Sequence, residues 1–316
     1  MSRSVLVTGA TGFVGAEVMA RLAQLPDVHP IAAVRQPERW AGPGRAVGYD
    51  LLAEALPDLA GVDAVIHCAA RVHVMADTVE SPLQAYRAAN AEATTRLAAH
   101  AAACGVRRFV FLSSIKVNGE TTCGRGPFTP DDVPSPQDPY GQSKLEAEQA
   151  LLSLAGNGAL EVAIIRPPLV YGPGVKANFR AMMKALSRGW PLPFGALHNR
   201  RSMIAVQNLA DLTVHCTNAP AATGIFLARD AEQPTTTQLM AALAKALGRN
   251  PRLLPVPAAW LRFAGAALGK RGVISRLCDP LEVDLQHTTS RLGWTPPMPQ
   301  DEGLRLAARA YQKELK

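Results

Sequence analysis

The chain has 316 residues, 48% hydrophobic and only 19% charged, which is too long for a minimal domain and too apolar for disorder. The net charge of +7 points to an anionic partner, but the basic residues stand singly or in pairs such as Arg107–Arg108, Arg200–Arg201 and Lys270–Arg271. Such a spread fits a solvated surface with a phosphate site and argues against a nucleic-acid tract.

The first residues, MSRSVLVTGATG, run directly into a strand and a glycine turn, so no signal peptide is expected. Cys68, Cys104, Cys123, Cys216 and Cys278 are far apart and form no Cys-x-x-Cys pair, so neither a disulfide framework nor a metal site is expected and a cytoplasmic location fits. No apolar run reaches the ~18 residues of a membrane helix, so no membrane insertion is expected. The nearest, Val256–Leu268, is broken by Pro257 and Arg262 and reads as a packed amphipathic helix rather than one lying on a membrane.

Through the first half, short β-branched runs at Val5–Val7, Ile31–Val34, Ala64–His67, Phe109–Leu112 and Val162–Ile165 alternate with helix-like segments at Val14–Gln24, Gln84–Cys104 and Tyr140–Ala155. This alternation predicts an α/β fold, a doubly wound parallel sheet of Rossmann type covered on both faces. After Arg166 prolines and glycines multiply. Residues 1–170, with 205–230 returning to them, read as a dinucleotide-binding unit, and 171–204 with 231–316 as a smaller substrate-binding unit. The polar, proline-rich stretch Glu120–Pro139 is long enough to suggest a functional loop.

The segment Thr8-Gly9-Ala10-Thr11-Gly12-Phe13-Val14-Gly15 follows a strand and opens a helix, the setting in which a glycine fingerprint carries meaning. Gly9 permits the turn, Gly12 lets backbone approach a pyrophosphate, and Gly15 lets helix pack on strand; the helix N-terminus then offers free N–H groups to phosphate. At the end of the second strand, where an acidic residue would bind the ribose of NAD, stands Arg35, with Arg39 near it. A guanidinium suits the 2′-phosphate of NADP, so NADP is preferred over NAD; a solvated arginine stacking on adenine is the competing reading. Asp50 and Leu51 follow the next strand and can hold the adenine edge, and Ala69 and Ala70 leave room beside the cofactor.

Tyr140-Gly141-Gln142-Ser143-Lys144 puts Tyr140 and Lys144 one helical turn apart on one face. A phenol of pKa ~10 is a poor base at neutral pH, and a nearby ammonium and a cationic nicotinamide would stabilise its phenolate. Ser114, ending the strand Phe111-Leu112-Ser113-Ser114, can hydrogen-bond the same substrate oxygen.

TGATGFVG, HCAA, FLSSIKVNG, DPYGQSK, RPPLVYGPG and LGWTPP together resemble the extended short-chain dehydrogenases/reductases that modify nucleotide sugars, over essentially the whole chain. The resemblance implies that Asn90 braces the active site, that Pro167 passes the nicotinamide carboxamide, and that Asn178, Arg201 and Arg276 meet the substrate diphosphate. It also implies a homodimer through the Gln84–Cys104 and Tyr140–Ala155 helices. Three departures narrow the activity. Ile115-Lys116 replaces the Asp-Glu pair of the dehydratases, and an isoleucine cannot protonate a leaving hydroxyl. Lys116 and Asn118 replace residues common in the epimerases, which makes Lys116 a candidate substrate contact. Ser202, Ala205 and Asn208 replace an Asp, a His and an Asp usual after the phosphate arginine. The activity expected is reduction at carbon 4 of a UDP-4-keto-6-deoxy amino sugar for surface polysaccharide, with UDP-hexose 4-epimerisation as the alternative. A non-catalytic NADP-binding regulator, or a ketoreductase of an apolar substrate, fits these residues less well.

Overall fold

The computed structural model describes residues 2–72, 81–269 and 271–315; Lys270 of the basic pair noted above lies outside them. The first half follows the predicted alternation. Strand β1 (Arg3–Thr8) leads into helix α1 (Phe13–Leu22), and β2 (Val28–Val34), β3 (Arg45–Gly48) and β4 (Ala64–His67) follow. Next come α2 (Pro82–Tyr86), a π-type segment Arg87–Glu92, α3 (Ala93–Ala103), β5 (Arg108–Leu112), α4 (Pro139–Gly156) and β6 (Glu161–Arg166). The second half holds β7 (Leu169–Tyr171), α5 (Ala177–Ser187), β8 (Met203–Ala205), α6 (Val206–Cys216) and β9 (Gly224–Leu227). It ends with α7 (Thr236–Ala246), α8 (Ala258–Ala267), α9 (Arg271–Cys278), α10 (Gln286–Leu292) and α11 (Gln300–Lys313).

Seven strands form one parallel sheet in the order β3-β2-β1-β4-β5-β6-β9. Successive side chains on a strand point to opposite faces, so each strand feeds two cores. Val5, Val7, Ile66, Val110 and Ile165 pack on the side of α1 and α6; Leu6, Val65, Phe109, Phe111 and Ile164 pack on the side of α3 and α4. Each fully buried aliphatic or phenyl side chain stabilises by about 1.5–3 kcal/mol. The chain reverses its strand order between β1 and β4, and that switch point opens a crevice at the carboxyl ends of the strands.

The helix starts follow from local chemistry. Gly12 leads into α1, and Asp138 caps α4 by accepting from Gly141 N at 2.7 Å, with Pro139 at the position where a missing N–H costs nothing. Thr235 and Gln238 form a reciprocal capping box at the start of α7. The expected Gln84–Cys104 helix is instead three pieces, with the π-type segment centred on Asn90. A π turn shifts the side-chain register and aims the buried Asn90 inward, a change that apolar periodicity does not report.

A third core gathers Tyr171, Phe179, Met183, Leu243, Leu304 and Tyr311 around the two-stranded sheet β7–β8. Residues 231–316 do not all join it: Leu285, Leu292 and Trp294 pack into the core on the α1 side of the main sheet, and the Trp294 indole donates to Asp211 at 2.9 Å. Buried Asp230, just past β9, ties the sheets together by accepting from the Tyr171 hydroxyl, Asn208 Nδ2 and Ala205 N at 2.7, 2.7 and 3.0 Å. Asn208, expected as a departure in the substrate pocket, is thus spent on the fold.

Candidate active site

Two loops meet at the switch point. After β1, Gly12 N donates to Gly9 O at 2.8 Å and closes a tight turn. Gly9 has φ +67°, and a Cβ there would sit 2.8 Å from Ala69 N; a Cβ on Gly15 would sit 2.1 Å from Gly9 O. Neither contact is tolerable, so the sequence must supply glycine at both positions. Ala69 N donates to Thr8 Oγ1 at 3.2 Å, which holds the strand ends of β1 and β4 side by side. The amide groups of Phe13 and Val14 begin α1 with no side chain capping them, the arrangement that receives phosphate oxygens. Beyond the turn, Thr11, Arg35, Arg39 and Trp40 line a cavity of 410 Å³ at the end of β2. A cradle that no Cβ could enter, an uncapped helix start and a cationic cavity beside them fit a dinucleotide.

Asp50 and Leu51, expected at the adenine edge, sit in the turn just past β3. Asp50 Oδ1 accepts from Leu52 N at 3.0 Å within its own turn, and Leu51 packs partly into the second core while Arg96 holds its carbonyl at 3.3 Å.

On the other side of the switch point, β5 ends at Leu112 and Ser114 caps a short 3₁₀ turn, Ile115–Val117, rather than ending the strand itself. Half-buried Ser114 lies beside the Tyr140 hydroxyl. Desolvation, with Asp138 and Tyr86 nearby, pushes the Tyr140 phenol well above its ordinary range, and the neighbouring Ser114 hydroxyl works against that rise. Lys144 is buried, donates to Leu112 O at 2.8 Å, and lies 5.9 Å from the centre of the Tyr140 ring. Burial lowers its pKa to about 8, within reach of the neutral-to-alkaline range. Asn90 donates to Ser143 Oγ and to Arg71 O, both at 3.0 Å, and accepts from Arg71 N at 2.8 Å, linking α4 to the loop after β4. Buried Pro167 accepts from Ile115 N at 2.9 Å and so fixes the turn beneath Ser114.

The candidate substrate contacts fall into two groups. Lys116 Nζ is held by Asp138 at 2.5 Å and Glu120 at 2.8 Å; burial opposes its charge, but these carboxylates outweigh it and hold the pKa above the ordinary value. Glu120 is in turn within electrostatic reach of Arg201, whose guanidinium donates to Asp279 O at 2.8 Å and also feels Arg276. A chain of charges therefore joins the Tyr140 neighbourhood to Arg201 and Arg276. Burial lowers the Arg201 pKa, so it is not a freely solvated surface arginine. Asn178, exposed on the first turn of α5, is not drawn into this group; its neighbour Ala177 has a positive φ of 51°, which is unusual for a residue other than glycine.

Sequence reasoning missed the buried layer beneath the site. Glu148, one turn beyond Lys144, accepts from Ser113 Oγ and from Arg166 Nη2 at 2.5 Å, while Arg166 Nη1 donates to Asn118 Oδ1 at 2.9 Å. Glu148 and Arg166 are each only 1% exposed. His67 is also buried, between Thr8 Oγ1 at 2.7 Å and Thr94 Oγ1 at 3.0 Å, and desolvation lowers its pKa to about 3. The one available signal was a charged residue closing an apolar strand, as Arg166 does. Among the described residues no group of three His, Cys, Asp or Glu side chains is placed to hold a metal ion, and no helix is long and apolar enough to cross a membrane.

A doubly wound sheet with a glycine turn after β1 and a Ser–Tyr–Lys group after β5 defines an extended short-chain dehydrogenase/reductase. Residues 5–226 match the NAD dependent epimerase/dehydratase family, and the chain belongs to it. A Vibrio cholerae protein named UDP-glucose 4-epimerase is 44% identical, the match covering 98% of this chain and 96% of that one. Among solved structures, a Bacillus cereus UDP-glucuronic acid 4-epimerase with NAD matches the fold at TM-score 0.78 and 20% identity, over 99% of this chain and 100% of that one. MoeE5, solved with UDP-glucose and NAD, matches at TM-score 0.75 and 26% identity, over 99% and 100%.

Proposed function

We propose that the chain is a UDP-sugar 4-epimerase. The observation that carries this reading is the Ser114–Tyr140–Lys144 group, built at the switch point beside the glycine turn. Epimerisation, the alternative in the sequence reading, takes precedence over the reduction first expected, because the 44%-identical relative bears an epimerase name.

In this reading Gly9, Gly12, Phe13, Val14 and Gly15 hold the dinucleotide pyrophosphate, with Pro167 beside the nicotinamide. The dinucleotide supplies a hydride acceptor that can return the hydride to either face of carbon 4. Tyr140 takes the proton from the 4-hydroxyl as that carbon is oxidised and gives it back on reduction. Lys144 lowers the cost of the phenolate, and Ser114 holds the sugar oxygen within reach of Tyr140. Arg201, with Arg276, grips the diphosphate while the sugar turns over. NAD is the cofactor proposed, in line with the NAD in MoeE5. NADP remains a second reading on one observation, the cationic cavity formed by Arg35 and Arg39. Removing the guanidinium in Arg35→Ala separates the two, costing NADPH binding about 1.5–3 kcal/mol more than NADH if the cavity reads the 2′-phosphate, and the same for both if it does not.

The test is incubation of purified protein and catalytic NAD with UDP-glucose or UDP-N-acetylglucosamine, with products separated by chromatography. The 4-epimer should accumulate to equilibrium without net NADH, and Tyr140→Phe should slow this by about 10²-fold or more. Turnover only of a 4-keto sugar, with stoichiometric NAD(P)H consumption, would replace epimerisation by reduction.

A further inference from the structure

The +7 charge of the chain is not spread evenly. Residues 233–278 contain seven basic side chains and no acidic one, while the rest of the chain balances at 26 basic against 26 acidic. This stretch contains the α8–α9 hairpin. Leu261 and Gly265 face inward on α8, and a Cβ on Gly265 would lie 2.4 Å from Ile274 Cγ1, so the two helices are in close contact there. This inward face is that of the packed amphipathic helix expected over Val256–Leu268.

The outward face does not carry the charges such a helix needs. Trp260, Phe263 and Ala267 share it by helical spacing, and Trp260 and Phe263 are 68% and 72% exposed. Leu268 just after α8 and Val273 on α9 are exposed as well. Exposed Arg252 and Arg271 flank α8 in the chain, and exposed Arg262 lies on it. Large apolar patches rimmed by charge mark interaction surfaces, and an indole and a phenyl beside arginines form the composition that settles at the headgroup level of an anionic bilayer.

We propose that the α8–α9 hairpin docks this protein onto an anionic phospholipid surface, with Trp260 and Phe263 entering the headgroup region and the exposed arginines Arg252 and Arg271 meeting lipid phosphates. A second copy of the chain is a poorer occupant, because two such faces would press like charges together. The surface also adjoins the candidate substrate site: Arg262 pairs with Asp279 Oδ1 at 2.7 Å, and Asp279 O holds Arg201. Docking would therefore bring the diphosphate end of that site close to the membrane plane.

The experiment is vesicle flotation of the full chain with phosphatidylglycerol-rich or pure phosphatidylcholine vesicles. Parent protein should float with the anionic vesicles and not with the neutral ones. Its recovery should fall severalfold as salt rises from ~0.1 M to ~1 M, where the screening length shrinks from ~10 Å to ~3 Å. Trp260→Ala with Phe263→Ala, and separately Arg252→Glu with Arg271→Glu, should each lower recovery by about fivefold or more while thermal melting is unchanged. Absence of flotation in the parent, or recovery of either double variant equal to the parent's, overturns the proposal. Halving of the sedimentation mass by Trp260→Ala with Phe263→Ala, without vesicles, also overturns it in favour of a second copy.

Discussion

The residues beneath Tyr140 and those around Arg201 are held in opposite ways. Under Tyr140, Glu148, Arg166, Ser113, Asn118, Asn90 and Ser143 are all buried, and each bonds a side chain from another element. Around Arg201 the fixed contacts thin out: its guanidinium has a carbonyl partner in Asp279, Arg276 is exposed on α9, and Asn178 is exposed on α5. The contrast teaches where precision is needed. A proton and a hydride must move over distances set to fractions of an ångström, so the chemical side is pre-organised. In the proposed function a diphosphate would order exposed Arg276 as it binds, so that side can be left loose at little cost.

The largest expected effect breaks the pre-organised side. Glu148→Gln leaves the Arg166 guanidinium buried without its counter-charge and should cost about 3–5 kcal/mol of stability, read by denaturant unfolding. A loss below about 1 kcal/mol would mean that the layer under the site is not a structural support. On the loose side the effect should appear in binding and leave the fold intact. Arg201→Ala should remove most of the rise in melting temperature given by UDP, a loss of about 1.5–3 kcal/mol in affinity, while the NAD-induced rise persists. Equal losses for the two ligands would show that Arg201 supports the fold as a whole.

A third effect sharpens the comparison through pH. Buried His67 has a pKa of about 3, below the ~6.5 of an unfolded histidine. Between those values the unfolded chain binds a proton that the folded chain refuses, so stability is complete above pH ~6.5 and falls as pH drops. The contribution should approach about 1.4 kcal/mol per pH unit, and His67→Gln should flatten the melting curve by that slope between pH 4 and 6. An unchanged slope would place the proton uptake elsewhere.

Much of this was legible in the sequence. The sheet is read from short apolar strands alternating with helices, and the site from motifs whose parts lie a few residues apart: Gly9 to Gly15, and Tyr140 to Lys144. What escaped depends on partners distant in the chain. Strands β7 and β8 are three residues long and are strands only because they pair with each other. Glu148 and Arg166 read as surface charges until α4 is laid against β6, and Asn208 reads as a pocket residue until Asp230 arrives from beyond β9. The outward face of α8 is the reverse case. Periodicity correctly shows an inward face, but it cannot say that the other side keeps Trp260 and Phe263 in solvent.

The central claim is that one site oxidises and re-reduces the same carbon without releasing the hydride. UDP-glucose carrying deuterium at carbon 4, incubated with the protein and unlabelled NAD, tests it directly by mass spectrometry and proton NMR of the 4-epimer. The account predicts that the epimer keeps its deuterium at carbon 4 with inverted configuration and that Tyr140→Phe suppresses its formation. Deuterium recovered instead in free NADH, with a 4-keto sugar as the only product, would contradict it.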